Sequence, residues 1–431
     1  MRKITALALA MALVLTLALS AACDRGGDTA DAPDGSAALT PSPIPAPDPP
    51  DDPTPELPFR GKIAIITNDR ACNEEEYLSA AYVAEKYGVH KITHKVWPIT
   101  YTNDEQMINI ILEIAADPDI RAVVINQAVI NTNTAVDKLL DSRPDMFVAY
   151  CQPAEYPHEV VKRAYLSMTD NNQLRSETIV MQANAMGAEV FAHYSYPMHM
   201  DIPSLSQRRE AMKTACDREG LEYVDLLVPD PYGEGSIPHT QQLILEDVPK
   251  QVAKYGKNTA FFGTSCYVQI PLIIKVIDEG AIYPEPCCPS PFHGFPPALG
   301  IAAKVFDGYN MVTNDDWDTE VDEGRLKTLY EFIRDIRSVV ATRGATGRLA
   351  TWPVPTNMMF TAVATEYAIK WINGEVPQEK DTVDYGVIAE LCEAYIYENT
   401  GEHLGVELNP LSLNGRVYNS YLLVLPDSIV F

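Results

Sequence analysis

Residues 163–200 read RAYLSMTDNNQLRSETIVMQANAMGAEVFAHYSYPMHM. Ala164 to Met168 is a short apolar run of strand length. Thr169-Asp170-Asn171-Asn172 has turn and N-cap chemistry. Ile179, Val180, Ala183 and Met186 recur at helical spacing, and Gly187 supplies the left-handed stop that ends many helices. Val190-Phe191-Ala192 is a compact buried strand. His193 to His199 then lie past its carboxyl end, where open α/β sheets hold ligands. The stretch reads as the passage from a first α/β lobe into a second.

The flanks support that reading. Upstream, Lys62 to Thr67 is a continuous apolar run, as expected of a strand buried on both faces of a parallel sheet. Asn73 and Glu76 are spaced for a capping box, and Tyr77, Ala80, Ala81, Val83, Ala84 and Tyr87 give the following helix its apolar positions. Strands are expected over about Lys91 to Val96, Ala122 to Ile125 and Met146 to Tyr150, with helices between them. This alternation predicts a parallel sheet with right-handed crossovers. Downstream the scheme repeats. Helices are expected near Ser206 to Glu219, Thr240 to Tyr255 and Pro271 to Glu279, and strands over Glu222 to Val228 and Thr259 to Gly263. Pro249 should break or kink its helix. Tyr283 to Pro297 is proline-rich and irregular. A helix over about Asp322 to Arg343 leads to Arg348 to Trp352, expected as the strand returning to the first lobe. Helices over Asn357 to Asn373 and Tyr385 to Asn399 and a late strand over Tyr418 to Leu425 complete the chain. The expected fold is α/β and two-lobed, each lobe a parallel sheet flanked by helices. Residues 59–168 with about 346–431 form the first lobe, and 169–345 the second.

At the N-terminus, Arg2 and Lys3 precede an apolar run from Ile4 to Leu19, too short to span a bilayer. A basic start, a short apolar core and small residues before Cys23 make an export signal over residues 1–22. The junction cysteine resembles that of bacterial lipoproteins, in which Cys23 would be diacylated and become the mature N-terminus. Ser20 is less typical there than leucine, which leaves a plain signal peptide as the alternative. Residues 23–58 are rich in Asp, Pro, Ala and Thr and read as a disordered tether. The roughly 370 residues that remain suit two lobes better than one core. A net charge of −26 argues against nucleic acid and against an anionic membrane face. The seven cysteines besides Cys23 are scattered and odd in number, unlike a disulfide scaffold.

A lipidated, tethered pair of α/β lobes resembles the type I periplasmic-binding-protein fold. More closely, INQAVINTNTA (125–135), FAHYSYPMHM (191–200), QQLILEDVPKQVAKYGKNTAFFGTSC (241–266) and GAIYPEPCCPSPFHGFPPALGI (280–301) resemble DUF3798, a family of bacterial lipoproteins of unknown function, from about Lys62 to the C-terminus. The resemblance implies the fold of the solute receptors of ABC importers and an extracytoplasmic, membrane-anchored location. It supplies no ligand and no catalytic residue.

The chemistry-bearing residues fit binding rather than turnover. The chain has no GxGxxG after a strand, no Walker A motif, no HExxH and no CxxC pair, and Gly344 to Arg348 lacks the lysine of a phosphate loop. No nucleophile–base arrangement is legible, so no enzyme and no cofactor is expected. Asn68, Asp69, Asn126, Gln127 and Gln152 sit at strand ends of the first lobe. Tyr194, Ser195, Tyr196, His199, Asp230, Thr264 and Ser265 do so in the second. Together they offer the amides, hydroxyls and rings that hold a polar small molecule, although strand-end loops are polar in any case. His293, in the proline-rich loop, and Trp352, before a helix, join the candidate ligand-binding set; Trp352 serves a core equally well. Glu74, Glu75 and Glu76 would oppose an anion and favour a neutral or cationic ligand, unless they only cap the helix. His193, His199, His239 and His293 with Cys266, Cys287 and Cys288 have ligand chemistry, but their spacing follows no metal pattern, and no metal is expected. Cys287-Cys288 reads as a packed turn or a strained vicinal disulfide. The function expected is a lipid-anchored solute receptor serving an ABC permease, with a ligand-sensing lipoprotein signalling to a membrane partner as the alternative.

Overall fold

The computed structural model describes residues 59–301 and 328–431, apart from 71, 100–103, 232, 234 and 235. The expected export signal, Cys23 and the whole of the tether therefore lie outside the described residues. In the first lobe, β1 (Lys62–Thr67), β2 (Ile92–Val96), β3 (Ile120–Asn126), β4 (Phe147–Cys151) and β5 (Leu166–Asp170) alternate with α1 (Glu74–Tyr87), α2 (Asp104–Ala116), α3 (Thr132–Ser142) and α4 (Pro157–Val160). The second lobe holds α5 (Asn172–Ala185), β6 (Val190–Ser195), α6 (Pro197–Met200), α7 (Pro203–Glu219), β7 (Glu222–Leu227), α8 (Ser236–Tyr255), β8 (Thr259–Gly263), α9 (Gln269–Glu279), α10 (Phe295–Leu299), α11 (Leu329–Thr342) and β9 (Ala350–Thr351). The chain then gives α12 (Thr356–Asn373), α13 (Tyr385–Thr400), β10 (Val406–Leu413), β11 (Arg416–Pro426) and β12 (Ile429–Val430).

The large sheet runs β10-β11-β5-β4-β3-β1-β2. All its pairings are parallel except that of β10 with β11. From Ile63 to Thr67 and from Phe147 to Cys151 every residue is buried, as a sheet covered by helices on both faces demands. The second sheet runs β7-β6-β8, all parallel. Isolated parallel bridges extend it from Ala260 to Ile282 and from Tyr283 to Leu349, and β9 pairs antiparallel with β12. Parallel sheets flanked by helices in two lobes are the expected fold class.

Several elements differ from the expectation. Leu349 to Thr351 does not return to the first lobe. Tyr283 N donates to Arg348 O at 2.8 Å and Ala350 N to Tyr283 O at 2.8 Å, which joins the segment to the second sheet. The crossing comes later, at Trp352 to Pro355, and β12 crosses back. A short apolar run carries no sign of which of two sheets it pairs with. β10 went unpredicted because it is an edge strand: it is largely half-exposed and carries Pro410, which only an edge tolerates. Helix α8 continues through Pro249 instead of breaking there.

The opening stretch folds much as read. β5 extends to Asp170, and Asn171 is the N-cap of α5, accepting from Leu174 N at 3.1 Å. Gly187, at φ 87°, turns the chain out of α5. Helix α12 is buried on nearly every side, as a helix apolar all round should be. Ser79 and Thr361 hydroxyls meet at 2.7 Å to fix it against α1. Phe147, at the start of β4, is fully buried and packs against Tyr165 and Trp371 with ring centroids at 5.6 and 5.4 Å. Phe147→Ala should lower unfolding free energy by about 3–5 kcal/mol, read as an earlier urea midpoint with an unchanged slope.

Candidate ligand-binding cleft

Where the strands of both lobes end, their loops enclose a cavity of about 620 Å³. The first lobe lines it with the N-terminal turn of α1, Gln127, Gln152, Asp170 and the start of α12; the second contributes Asn172, Arg175, Arg208 and the loop from Cys287 to His293. Ser290 Oγ of the second lobe donates to Glu75 Oε1 of the first at 3.2 Å, so a hydrogen bond bridges the two walls.

On the first-lobe wall, Gln152 holds a left-handed backbone at φ 50°, a conformation that costs on the order of 1–3 kcal/mol in a non-glycine residue. Its side chain is fixed at both ends. Thr169 Oγ1 donates to Gln152 Oε1 at 2.7 Å, and Gln152 Nε2 donates to Asp170 Oδ2 at 2.9 Å. Asp170 Oδ1 is buried and has no well-formed hydrogen-bond partner among the described residues, although the Thr356 side chain stands close by, and burial raises the Asp170 pKa. Glu76 is buried and collects amide donors: Asn68 Nδ2 at 2.7 Å, Asn73 Nδ2 at 2.9 Å and Asn357 Nδ2 at 3.5 Å. The expected capping box is thus rearranged. Asn73 does accept from Glu76 N at 3.2 Å, but the Glu76 carboxylate receives side-chain amides. Burial pushes the carboxyls of Glu75 and Glu76 each up to about 7. These two glutamates therefore do more than cap a helix at the surface.

On the second-lobe wall, Arg175 and Glu285 form an ion pair with both side chains almost wholly buried. Arg175 also donates to Pro286 O at 2.7 Å and lies 5.6 Å from the Trp352 ring. Arg208, from α7, lies 5.5 Å from the Phe262 ring. Its Nε has no hydrogen-bond partner among the described residues, and burial, then Arg175, lowers its pKa to about 10. Beside the arginines, Cys287 Sγ lies 3.5 Å from Cys266 Sγ, 3.9 Å from Cys288 Sγ and 3.5 Å from His293 Nε2, and Cys266 and Cys288 are 3.8 Å apart. The three cysteines are free thiols. Four such donors within 4.8 Å of one another could hold a metal ion. The sequence named these residues but its spacing did not group them, because Cys266 follows β8, 21 residues before Cys287.

Of the residues singled out in the sequence, Gln127, Gln152 and His293 line the cavity. Asn68 stands one layer behind, on Glu76 and at 3.3 Å from Gln127 Oε1. Trp352 lies beneath Arg175 in the core. Asn126 faces inward, donating to Asn357 O at 2.6 Å. Tyr194 donates to Asp247 Oδ2 at 2.8 Å, and Tyr196 pairs with His199. Thr264 donates weakly to Tyr194 O, and Ser265 caps the turn at Tyr267. Tyr194, Ser195, Tyr196, His199, Asp69, Asp230, Thr264 and Ser265 do not line this cavity. The residues that do and went unnoticed, Asp170, Arg175 and Arg208, lie at or in helices whose charges look like solvent-facing decoration. Asp170 and Arg175 flank the crossing in TDNNQLR, the one local signal for them.

Residues 61–321 match the family described as a protein of unknown function, DUF3798. The chain belongs to that family. The match stops short of the C-terminus. A curated, uncharacterised protein of Treponema pallidum (strain Nichols) is 29% identical over 171 residues, 40% of this chain and 79% of its own. The crystal structure of a putative transcriptional regulator from Clostridium difficile 630 superposes with a TM-score of 0.73 at 21% identity, over 86% of this chain and 99% of that one. A sugar ABC transporter structure from Actinomyces odontolyticus ATCC 17982 gives a TM-score of 0.45 at 10% identity, over 73% and 84%. Among this family member's described residues no helix is long and apolar enough to cross a membrane.

Glu76 and the Arg175–Glu285 pair each make a measurable prediction. A carboxyl whose pKa rises from 4.5 to about 7 on folding binds more protons folded than unfolded. Its share of stability therefore falls as pH rises from about 4.5 to 7 and then levels off, by about 3 kcal/mol. Glu76→Gln should flatten the wild-type decline in melting temperature across that window. Glu285→Ala, which strands a buried guanidinium, should cost about 3–5 kcal/mol in chemical denaturation.

Proposed function

We propose that the protein is an extracytoplasmic, lipid-anchored solute receptor whose lobes close on a small polar molecule in the cavity, and that it delivers this molecule to an ABC permease. The cavity carries the reading. Its volume suits a small molecule, both lobes line it, and its walls hold two buried polar atoms without well-formed hydrogen-bond partners among the described residues, Asp170 Oδ1 and Arg208 Nε. An unsatisfied buried polar group is costly unless something pairs with it. The solute that fits has a donor or cationic group for Asp170 and the glutamates and an acceptor for Arg208. Carboxylates outnumber free cations, which favours a neutral or cationic molecule with an acceptor at its far end. Closure then shifts the population toward the state the solute binds better, aided by the Ser290–Glu75 bridge. The export signal expected from the sequence supports the location.

The test is mass spectrometry of small molecules released from the purified full chain, followed by thermal shift with each compound found. A solute at about 100 times its Kd should add roughly 2.7 kcal/mol. Asp170→Asn and Arg208→Met should each weaken binding roughly 10- to 100-fold by calorimetry. A cationic solute should bind more tightly as pH rises through 7, as Glu75 and Glu76 give up their protons. An empty cleft, with no shift across sugars, nucleosides, amines and amino acids, would sink the receptor reading and leave a sensor gated by a membrane protein.

A further inference from the structure

We infer that Cys266, Cys287, Cys288 and His293 bind one tetrahedral zinc ion on the second-lobe wall of the cleft. Zinc holds thiolate sulfur at about 2.3 Å and imidazole nitrogen at about 2.0–2.1 Å, which sets tetrahedral edges near 3.8 Å between sulfurs and near 3.6 Å between sulfur and nitrogen. The three sulfurs here stand 3.5, 3.8 and 3.9 Å apart, and Cys287 Sγ lies 3.5 Å from His293 Nε2. Four of the six donor–donor distances thus match the edges of a zinc tetrahedron, and all six lie within 4.8 Å, so a small turn of the imidazole completes it. An iron–sulfur cluster spreads its cysteines over separate irons, farther apart than these sulfurs sit. A disulfide would draw two sulfurs to about 2.05 Å, yet the three are nearly equidistant and single out no pair.

The surroundings suit the ion. Three thiolates and a neutral imidazole around Zn²⁺ carry one net negative charge, and Arg175 and Arg208 both interact electrostatically with Cys287 and Cys288. Binding releases the thiol protons. Cys266 and Cys288 are exposed while Cys287 is buried, so the ion can enter from the cleft without unfolding. Four protein ligands leave no open coordination position, the mark of a structural site. What it would hold is plain from the chain. Cys266 opens the turn after β8, whereas Cys287, Cys288 and His293 belong to a proline-rich segment with no regular backbone ladder between Tyr283 and α10. The ion would pin that segment to the end of β8 and fix Ser290 and Phe292, which face the cavity. This site does not depend on which solute the cleft binds, or on whether it binds one.

The experiment uses the full chain, purified under reducing conditions without chelator. Elemental analysis should find equimolar zinc, and zinc alone, titrated against a chromophoric chelator, should refill chelator-stripped protein. Cobalt(II) in its place should give the thiolate charge-transfer band and the strong visible bands of a tetrahedral thiolate site. Cys288→Ser should weaken zinc binding by more than about 100-fold, beyond the loss typical of outer-shell partners, while Cys216→Ala keeps the metal. Stripping zinc should lower the melting temperature and speed proteolysis between Tyr283 and Leu299. If Cys288→Ser fails to fold, the cobalt spectrum of the wild type still decides. Reduced protein that neither holds nor takes up zinc overturns the inference, as do a disulfide among Cys266, Cys287 and Cys288 by alkylation mapping and stoichiometric iron or copper in place of zinc.

Discussion

The ion pair between Arg175 and Glu285 fastens the cleft together. Both side chains are almost entirely removed from water, and a charge so placed is tolerated only when it is paired and hydrogen-bonded. Arg175 stands in the first turns of α5, just beyond the first crossing. Glu285 stands in a segment with little secondary structure of its own. The pair, with the Arg175 bond to Pro286 O, forces that segment to lie across the sheet ends and places Cys287, Cys288, Ser290 and His293 on the cavity wall. Trp352, at the second crossing, lies against the same guanidinium. One buried cation thus ties two of the chain's crossings to the loop that shapes the cleft.

The first-lobe wall works by a different constraint. Two of its carboxyls, Glu76 and Asp170, are held by amides, not by cations. Glu76 sits among Asn68, Asn73 and Asn357, and Asp170 is held by Gln152. Amide and hydroxyl donors favour the ionised carboxylate, but burial outweighs them and pushes Glu75 and Glu76 to about 7. The wall can therefore exchange protons near neutrality. On the second-lobe wall Arg208 keeps its charge through neutrality, because burial brings its pKa down only to about 10. The cleft thus sets titratable carboxyls on one wall against a fixed guanidinium on the other.

These features explain why the cavity lining and the thiol–imidazole cluster were harder to see than the fold. Gln127, Gln152 and His293 were legible because strand ends and a proline-rich loop are where α/β proteins put function. Asp170, Arg175 and Arg208 were not, because an aspartate at a crossing and arginines on amphipathic helices look alike whether they face water or a cavity. The cysteines were noticed but not assembled, since a sequence separation of 21 residues says nothing of a distance of 3.5 Å. Tyr194 and Tyr196, which looked like stacking rings, turn into the lobe and satisfy their hydroxyls there.

The sequence by itself determined the alternation of strand and helix, the parallel sheets and the turn and N-cap at Asn171 between β5 and α5. Each of these follows from local hydrophobic period, capping chemistry and composition, which act within a few residues of one another. Only the tertiary structure decided that Leu349 to Thr351 joins the second sheet, that β10 forms an edge, that Glu75 and Glu76 face a cavity, and that three thiols and an imidazole converge. Those outcomes depend on which distant segments share space, and pairing between segments is set by burial and charge compensation across the whole molecule, which no window of sequence contains.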